Sequence, residues 1–219
     1  NKKQKKMQPC YIKKVKTIDL ESRIKEYIIK NYDPSFVTEN LKKFINGINQ
    51  NRGVISEMNK KESDLVNIKQ YVNILTHYIN ELIALKSKMT FGSESFSCKI
   101  NFEWTDSIRD SYEDSYNINF EFYNSLFNLA AEYYNLGYYT SIKTGADKNV
   151  LKEAYKYFQN AMFIYKLIKE EVANKIPENE LPIDLLPNHL DYCITMCLIY
   201  GNIQILKISK ETSPKQFNL

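Results

Sequence analysis

Residues 120–139 read FEFYNSLFNLAAEYYNLGYY, and this stretch decides the fold. Phe122, Tyr123, Leu126, Phe127, Leu129, Ala130, Tyr133, Tyr134 and Leu136 fall on every side of a helix of 3.6-residue period. A helix apolar all round must be enclosed by other elements, so this one is expected to be the central buried helix, ending near Gly137. Its neighbours should then be helices with one or two apolar stripes.

Downstream, the residues from Val150 to about Lys175 meet that expectation, because Ala154, Tyr157, Phe158, Ala161, Tyr165 and Ile168 recur at helical spacing. The alternation of small and large aromatic residues is that of tetratricopeptide helix pairs, where alanines let helices approach and rings fill the gaps. Pro177, Pro182 and Pro187 punctuate a loop over 176–186, and Pro187 suits the first turn of a last helix running to about Ile208. Glu211-Thr212-Ser213-Pro214 breaks the pattern.

Upstream, Asp19 can cap a first helix carrying Leu20, Ile24, Tyr27 and Ile28. A second helix is expected from Pro34 to about Arg52, with Gly53 at its end, and a long third one from Ser63 to about Met89. Between the third helix and the central one the period changes to two: Cys98, Ile100, Phe102 and Trp104 alternate with polar residues, as do Tyr116, Ile118 and Phe120. That is the period of a half-buried strand, and the two runs predict one small inserted hairpin. With 6 Gly and 6 Pro in 219 residues, turns are too few for a many-stranded fold. The fold class is therefore mainly α: an elongated, tetratricopeptide-like helical solenoid with one small β-hairpin.

The net charge of +4 is unevenly spread. Residues 1–16 hold seven lysines (Lys2, Lys3, Lys5, Lys6, Lys13, Lys14, Lys16) and no acid, so the other 203 residues sum to 4 − 7 = −3. Two readings of this tail stay open: a solvated terminus, or a basic segment touching an anionic membrane. A slightly acidic body with aromatics at core spacing argues against nucleic acid. Four dispersed cysteines and the absence of any Asn-x-Ser/Thr acceptor point to a reducing, cytosolic compartment. The most apolar stretch, Tyr192 to Tyr200, falls short of the roughly 20 residues a spanning helix needs.

Little in the chain suggests catalysis. Both histidines, His77 and His189, stand on separate helices, and the six glycines are isolated, so no phosphate loop exists. His189, Cys193 and Cys197 lie four apart on one helical face, which superficially resembles a metal ladder. A structural zinc site needs four ligands, so the expected role is core packing, with no metal, no cofactor and no catalytic residue.

Several motifs together resemble the Bro domain family, of the Alix, Brox, rhophilin and yeast Bro type. They are Phe102-Glu103-Trp104-Thr105-Asp106, then Phe120-Glu121 with Leu126-Phe127-Asn128-Leu129-Ala130-Ala131. Leu151-Lys152-Glu153-Ala154, Phe158-Gln159-Asn160-Ala161 and Ile168-Lys169-Glu170 follow, and Asp184-Leu185 precedes the last helix. Structurally, Trp104 and Phe120 should clamp the hairpin to the helices, and Asn128 must hydrogen-bond to be buried.

The resemblance implies a non-catalytic adaptor of the ESCRT multivesicular-body pathway, cytoplasmic and recruited to endosomal membranes. Its implied partner is the amphipathic C-terminal helix of an ESCRT-III subunit of the charged-multivesicular-body or Snf type. A generic tetratricopeptide-like scaffold with other partners is the alternative. The family's docking patch uses a large apolar residue near the end of the last helix, which maps to Ile205, or to Gln204 with a shift of one. Ile205 is preferred because an apolar groove needs an apolar residue, with Ile203 and Ile208 in support. The implied organisation is a basic tail over 1–16, a Bro-type domain over 17–208 and a tail or new helix over 209–219. The connection from Trp104 to Leu126 is shorter than the family's, so the hairpin is expected to be trimmed. The chain stops at Leu219, well short of a complete Bro domain.

Overall fold

In the computed structural model of the protein, residues 9–33, 35, 37–58, 64–143 and 146–212 are described. Lys2, Lys3, Lys5 and Lys6, the expected helix start at Pro34 and the segment 213–219 lie outside the described residues. Six helices follow in order: α1 (Leu20–Asn31), α2 (Glu39–Glu57), α3 (Leu65–Lys86), α4 (Ile118–Ser141), α5 (Lys148–Glu171) and α6 (Pro187–Thr212). Between α3 and α4 lies an antiparallel hairpin of β1 (Phe102–Thr105) and β2 (Tyr112–Ser115), with Phe102 opposite Ser115 and Thr105 opposite Tyr112. Short 3-10 turns (Val172–Asn174, Glu178–Glu180, Ile183–Leu185) carry the proline-rich loop.

The main packing is between consecutive helices, α1 on α2, α2 on α3, and so on to α5 on α6, which is how a solenoid propagates. Local chemistry sets the starts. Asp19, Thr38, Asp64, Asn117 and Asp147 each accept a backbone N–H of the first turn that follows. α4 is enclosed as expected: α3 and α5 flank it, while β1 and the 183–185 turn also pack on it.

Three boundaries differ from expectation for identifiable reasons. Helix α2 passes through Gly53 to Glu57, because Arg52 and Ile55 continue its buried stripe. The second strand is Tyr112–Ser115, and the run Tyr116, Ile118, Phe120 is instead the entry to α4, started by Asn117 accepting the Asn119 N–H. Helix α4 runs through Gly137, whose place is a close approach: a Cβ there would meet the Phe158 ring of α5 at 2.9 Å.

The N-terminal segment is not a tail throughout. Residues 10–16 cross the molecule as an extended strap. Lys16 N–H donates to the Glu103 carbonyl and Thr105 N–H to the Lys14 carbonyl, adding Val15 beside Trp104 at the edge of β1. On α4, Asn128 accepts the Lys13 N–H (2.8 Å) and donates to the Lys13 carbonyl (2.9 Å). Asn135 does the same for the N–H and carbonyl of Cys10. Residues 10–16 are therefore held against α4 and β1.

Candidate functional site

Two charge clusters lie inside the helix stack. In the first, Lys13 is fully buried, 2.7 Å from Asp184 and hydrogen-bonded to Asn124. Asp184 also accepts the Ser107 N–H at 2.6 Å, and Asp106 reciprocates by accepting the Ile183 N–H at 2.5 Å. The two aspartates thus cross-link the hairpin turn and the proline-rich loop. Burial opposes the Asp106 charge, yet the N–H groups of Arg109, Ile108 and Ile183 hold its carboxyl below the ordinary range. Burial likewise lowers Lys13, against the pull of Asp184.

In the second cluster Glu121 of α4 collects one donor from each of three elements. These are Arg52 Nε of α2 (2.6 Å), the Tyr78 hydroxyl of α3 (2.7 Å) and Trp104 Nε1 of β1 (2.5 Å). The guanidinium sits 5.5 Å from the centre of the Trp104 ring. The anticipated clamp by Trp104 and Phe120 is present, both side chains being fully buried. Full burial of such a ring contributes on the order of 2–3 kcal/mol. These residues look catalytic by type, but Glu121 is engaged in holding the elements together, and of the Arg52 guanidinium only Nε takes part while Nη1 and Nη2 are buried with no hydrogen-bond partner among the described residues.

The same geometry removes Lys13 from the basic set expected to meet a membrane, since its ammonium is an internal partner of Asp184. Lys14 and Lys16 are half-exposed and lie beside Asp110 and Glu103.

The thiols form a third cluster. Cys193 Sγ is 3.5 Å from His189 Nε2, and Cys10 Sγ is 3.8 Å from the Tyr165 hydroxyl. Burial pushes the Cys193 and Cys197 thiols far above their ordinary range, which leaves them protonated and unreactive. His189 stacks on Phe127, and desolvation lowers its pKa. Among the described residues no group of three or more His, Cys, Asp or Glu is placed to hold a metal ion.

The remaining feature is the outer surface of α6. Leu190, Cys193, Ile194, Cys197 and Gly201 face inward, and a Cβ on Gly201 would lie 3.4 Å from the Tyr155 ring of α5. Outward stand Tyr192 (59% exposed), Leu198 (45%), Ile199 (47%), Ile205 (40%) and Leu206 (54%). Contrary to the expectation that no stretch is long enough to span a membrane, the window Pro187–Lys210 qualifies by length and composition, and only 28% of it is buried. α6 thus carries more apolar surface than its packing on α5 uses.

The expected patch is divided by helical geometry. Ile205 and Ile208 are three apart and share a side, whereas Ile203 is two from Ile205 and points nearly the opposite way. Leu198 and Ile205, seven apart, form one stripe; Ile199, Ile203 and Leu206 form another with Tyr192. Gln204, the alternative mapping, is fully buried and donates to the Tyr200 carbonyl, so of the two only Ile205 is accessible. Leu198, Ile199 and Leu206 escaped the sequence reading of single residues, although a helical wheel drawn from Pro187 would expose them.

The fold and this face define a helical solenoid of the tetratricopeptide-like type, with an inserted hairpin and an apolar terminal helix. The chain belongs to the BRO1-like domain family, whose family model matches residues 7–206. Among solved structures it is similar to ALIX bound to the SIVmac239 PYKEVTEDL late domain, with TM-score 0.77, 18% identity and coverage of 94% of this chain and 29% of that one. It is similar also to ALIX BRO1 in its CHMP4C complex (TM-score 0.76, 18% identity, 94% and 57% coverage). A third likeness is to the Bro1 domain described in connection with endosomal targeting (TM-score 0.73, 17% identity, 96% and 55%). This chain therefore spans between about a third and somewhat over half of those chains. No curated protein matches.

Proposed function

We propose that this protein is a non-catalytic adaptor of the ESCRT pathway that docks the amphipathic C-terminal helix of an ESCRT-III subunit on the outer face of α6. The observation that carries the reading is the exposed stripe of Leu198 and Ile205, with the half-buried Ile208 at its inner edge, on a helix whose other side is already packed. An exposed apolar patch of this kind marks an interface, and a helix laid in an apolar groove is an established recognition mode. Family membership supplies the partner class, since a BRO1 domain of ALIX forms a complex with CHMP4C. Ile203 belongs to the neighbouring stripe with Ile199 and Leu206, where it would widen the contact. The protein would act in the cytoplasm and be drawn to endosomal membranes, as the similar Bro1 domain's link to endosomal targeting suggests. Lys2, Lys3, Lys5, Lys6, Lys14 and Lys16 would add attraction to anionic lipid.

Calorimetry against a panel of ESCRT-III C-terminal peptides tests this. Ile205→Asp puts a charge into a dry contact and should weaken binding by about 2 kcal/mol, roughly thirtyfold, with an unchanged helical spectrum. Full affinity in that variant removes the site from α6. If the unaltered protein binds none of the peptides, the reading as a generic tetratricopeptide-like scaffold with other partners takes its place.

A further inference from the structure

At the other end of the helix order, α1 and the loop of residues 91–99 enclose an open cleft of about 170 Å³. Arg23 and Lys30 enter it from α1 and Lys99 from the loop, with Ser95, Ser97 and Asn31 between them. The one acid in the lining is Glu26, itself 3.7 Å from Arg23. Lys30 and Lys99 have no ion-pair partner among the described residues, so the cleft carries a net charge of about +2. Tyr27, whose hydroxyl is 3.3 Å from that of Thr90, closes the floor.

An arginine, two lysines and two serines lining one small space supply the donor types that match a phosphate monoester, which carries close to two charges and three acceptor oxygens. The volume is well below the roughly 300–1,000 Å³ of sites that enclose drug-sized ligands, so the fit is to a head group rather than to a nucleotide. The rim decides what bears the phosphate. Phe96, between the two serines in sequence, is 62% exposed. A cationic cleft with an exposed aromatic side chain on its loop suits a bilayer surface, where cations meet head groups and apolar groups enter the acyl boundary.

We propose that the cleft between α1 and the 91–99 loop binds the phosphomonoester of a phosphorylated lipid head group, with Phe96 entering the bilayer beside it. This site is separate from the α6 face and does not depend on the partner assigned there.

The test is co-sedimentation of the whole protein with phosphatidylcholine vesicles containing phosphatidylinositol monophosphate. Vesicles brought to the same surface charge with phosphatidylserine serve as the comparison. The phosphoinositide vesicles should be bound more tightly, and a Lys30→Gln/Lys99→Gln variant should lose roughly twenty-five-fold, about fivefold for each cation at the surface. Phe96→Ser should weaken binding to the same vesicles. A chain with Lys2, Lys3, Lys5 and Lys6 changed to Gln should keep its preference for the phosphoinositide. Equal binding to both vesicle types, or no loss in the Lys30/Lys99 variant, overturns the proposal. So does a phosphoserine peptide or inorganic phosphate that binds in solution as tightly as the vesicles do.

Discussion

The inner side of α4 and the outer side of α6 invert the usual order of a folded chain in opposite ways. Along α4, Glu121, Asn124, Asn128, Glu132 and Asn135 are buried where apolar residues would pack more simply. Along α6, Leu198, Ile199, Ile205 and Leu206 stand in solvent where charged residues would be more soluble. Buried polar atoms are tolerated when they find partners: Glu121, Asn124, Asn128 and Asn135 find theirs in distant segments, the N-terminal strap, α2, α3 and β1, while Glu132 is met within α4 by Asn135. Among the described residues the exposed apolar atoms of α6 find no such partner. The first inversion is explained by the fold itself, and the second calls for something outside it.

The contrast is broken most severely at the Lys13–Asp184 pair. Asp184→Ala leaves an ammonium buried without its counter-ion and should cost about 3–5 kcal/mol in urea denaturation. Lys13→Met combined with Asp184→Leu should recover part of that loss. If the single variant costs under about 1 kcal/mol, the buried cluster is not what holds the strap.

Glu132 offers the next largest effect. It is buried on α4, and its partner is the Asn135 amide. Burial raises its pKa from 4.5 to about 7. The folded state therefore keeps its proton between about pH 4.5 and pH 7 while the unfolded chain releases it. Stability should fall through that window as pH rises, by on the order of 3 kcal/mol, and level off above it. Glu132→Gln should flatten the profile and be the more stable protein at pH 8. A wild-type stability that climbs over the same range would contradict the burial of this carboxyl.

On the other side of the comparison, Ile199→Ser with Leu206→Ser should leave the denaturation midpoint nearly unchanged, within about 0.5 kcal/mol for each exposed site. A large loss would mean that the face is internal. The smallest effect belongs to the rim pair Lys169–Asp191, 2.6 Å apart with side chains 36% and 53% exposed. Asp191→Ala should cost less than about 1 kcal/mol, and salt should erase the difference.

These expectations also show what the sequence could disclose. The helix order, the inserted hairpin and the enclosure of α4 follow from periodicity, which depends on short-range geometry. Strand β2 was misplaced because Tyr116, Ile118 and Phe120 alternate for only three apolar positions, too few to separate a strand from a helix entry capped by Asn117. Lys13 was read with its neighbours because charge runs are normally solvated, and its partner Asp184 lies 171 residues away. The same holds for Arg52 with Glu121: no local pattern announces a pairing across 69 residues. At α6 the surplus of apolar residues was visible. Their division into two stripes needed the buried side fixed first, by Gly201 and Cys197 against α5.

The strap held by Asn128 and Asn135 imposes an order on the making of this protein. Both asparagines read the strap through its main-chain N–H and carbonyl, so residues 10–13 are recognised largely by their extended path. A ribosome makes Lys13 171 residues before Asp184. At roughly 5–20 residues per second, that interval is on the order of ten to thirty seconds. During it the strap has no complete seat, because α4 and the proline-rich loop have still to emerge. The strap thus waits for elements made well after it, and any chaperone that shelters the nascent chain would find it there.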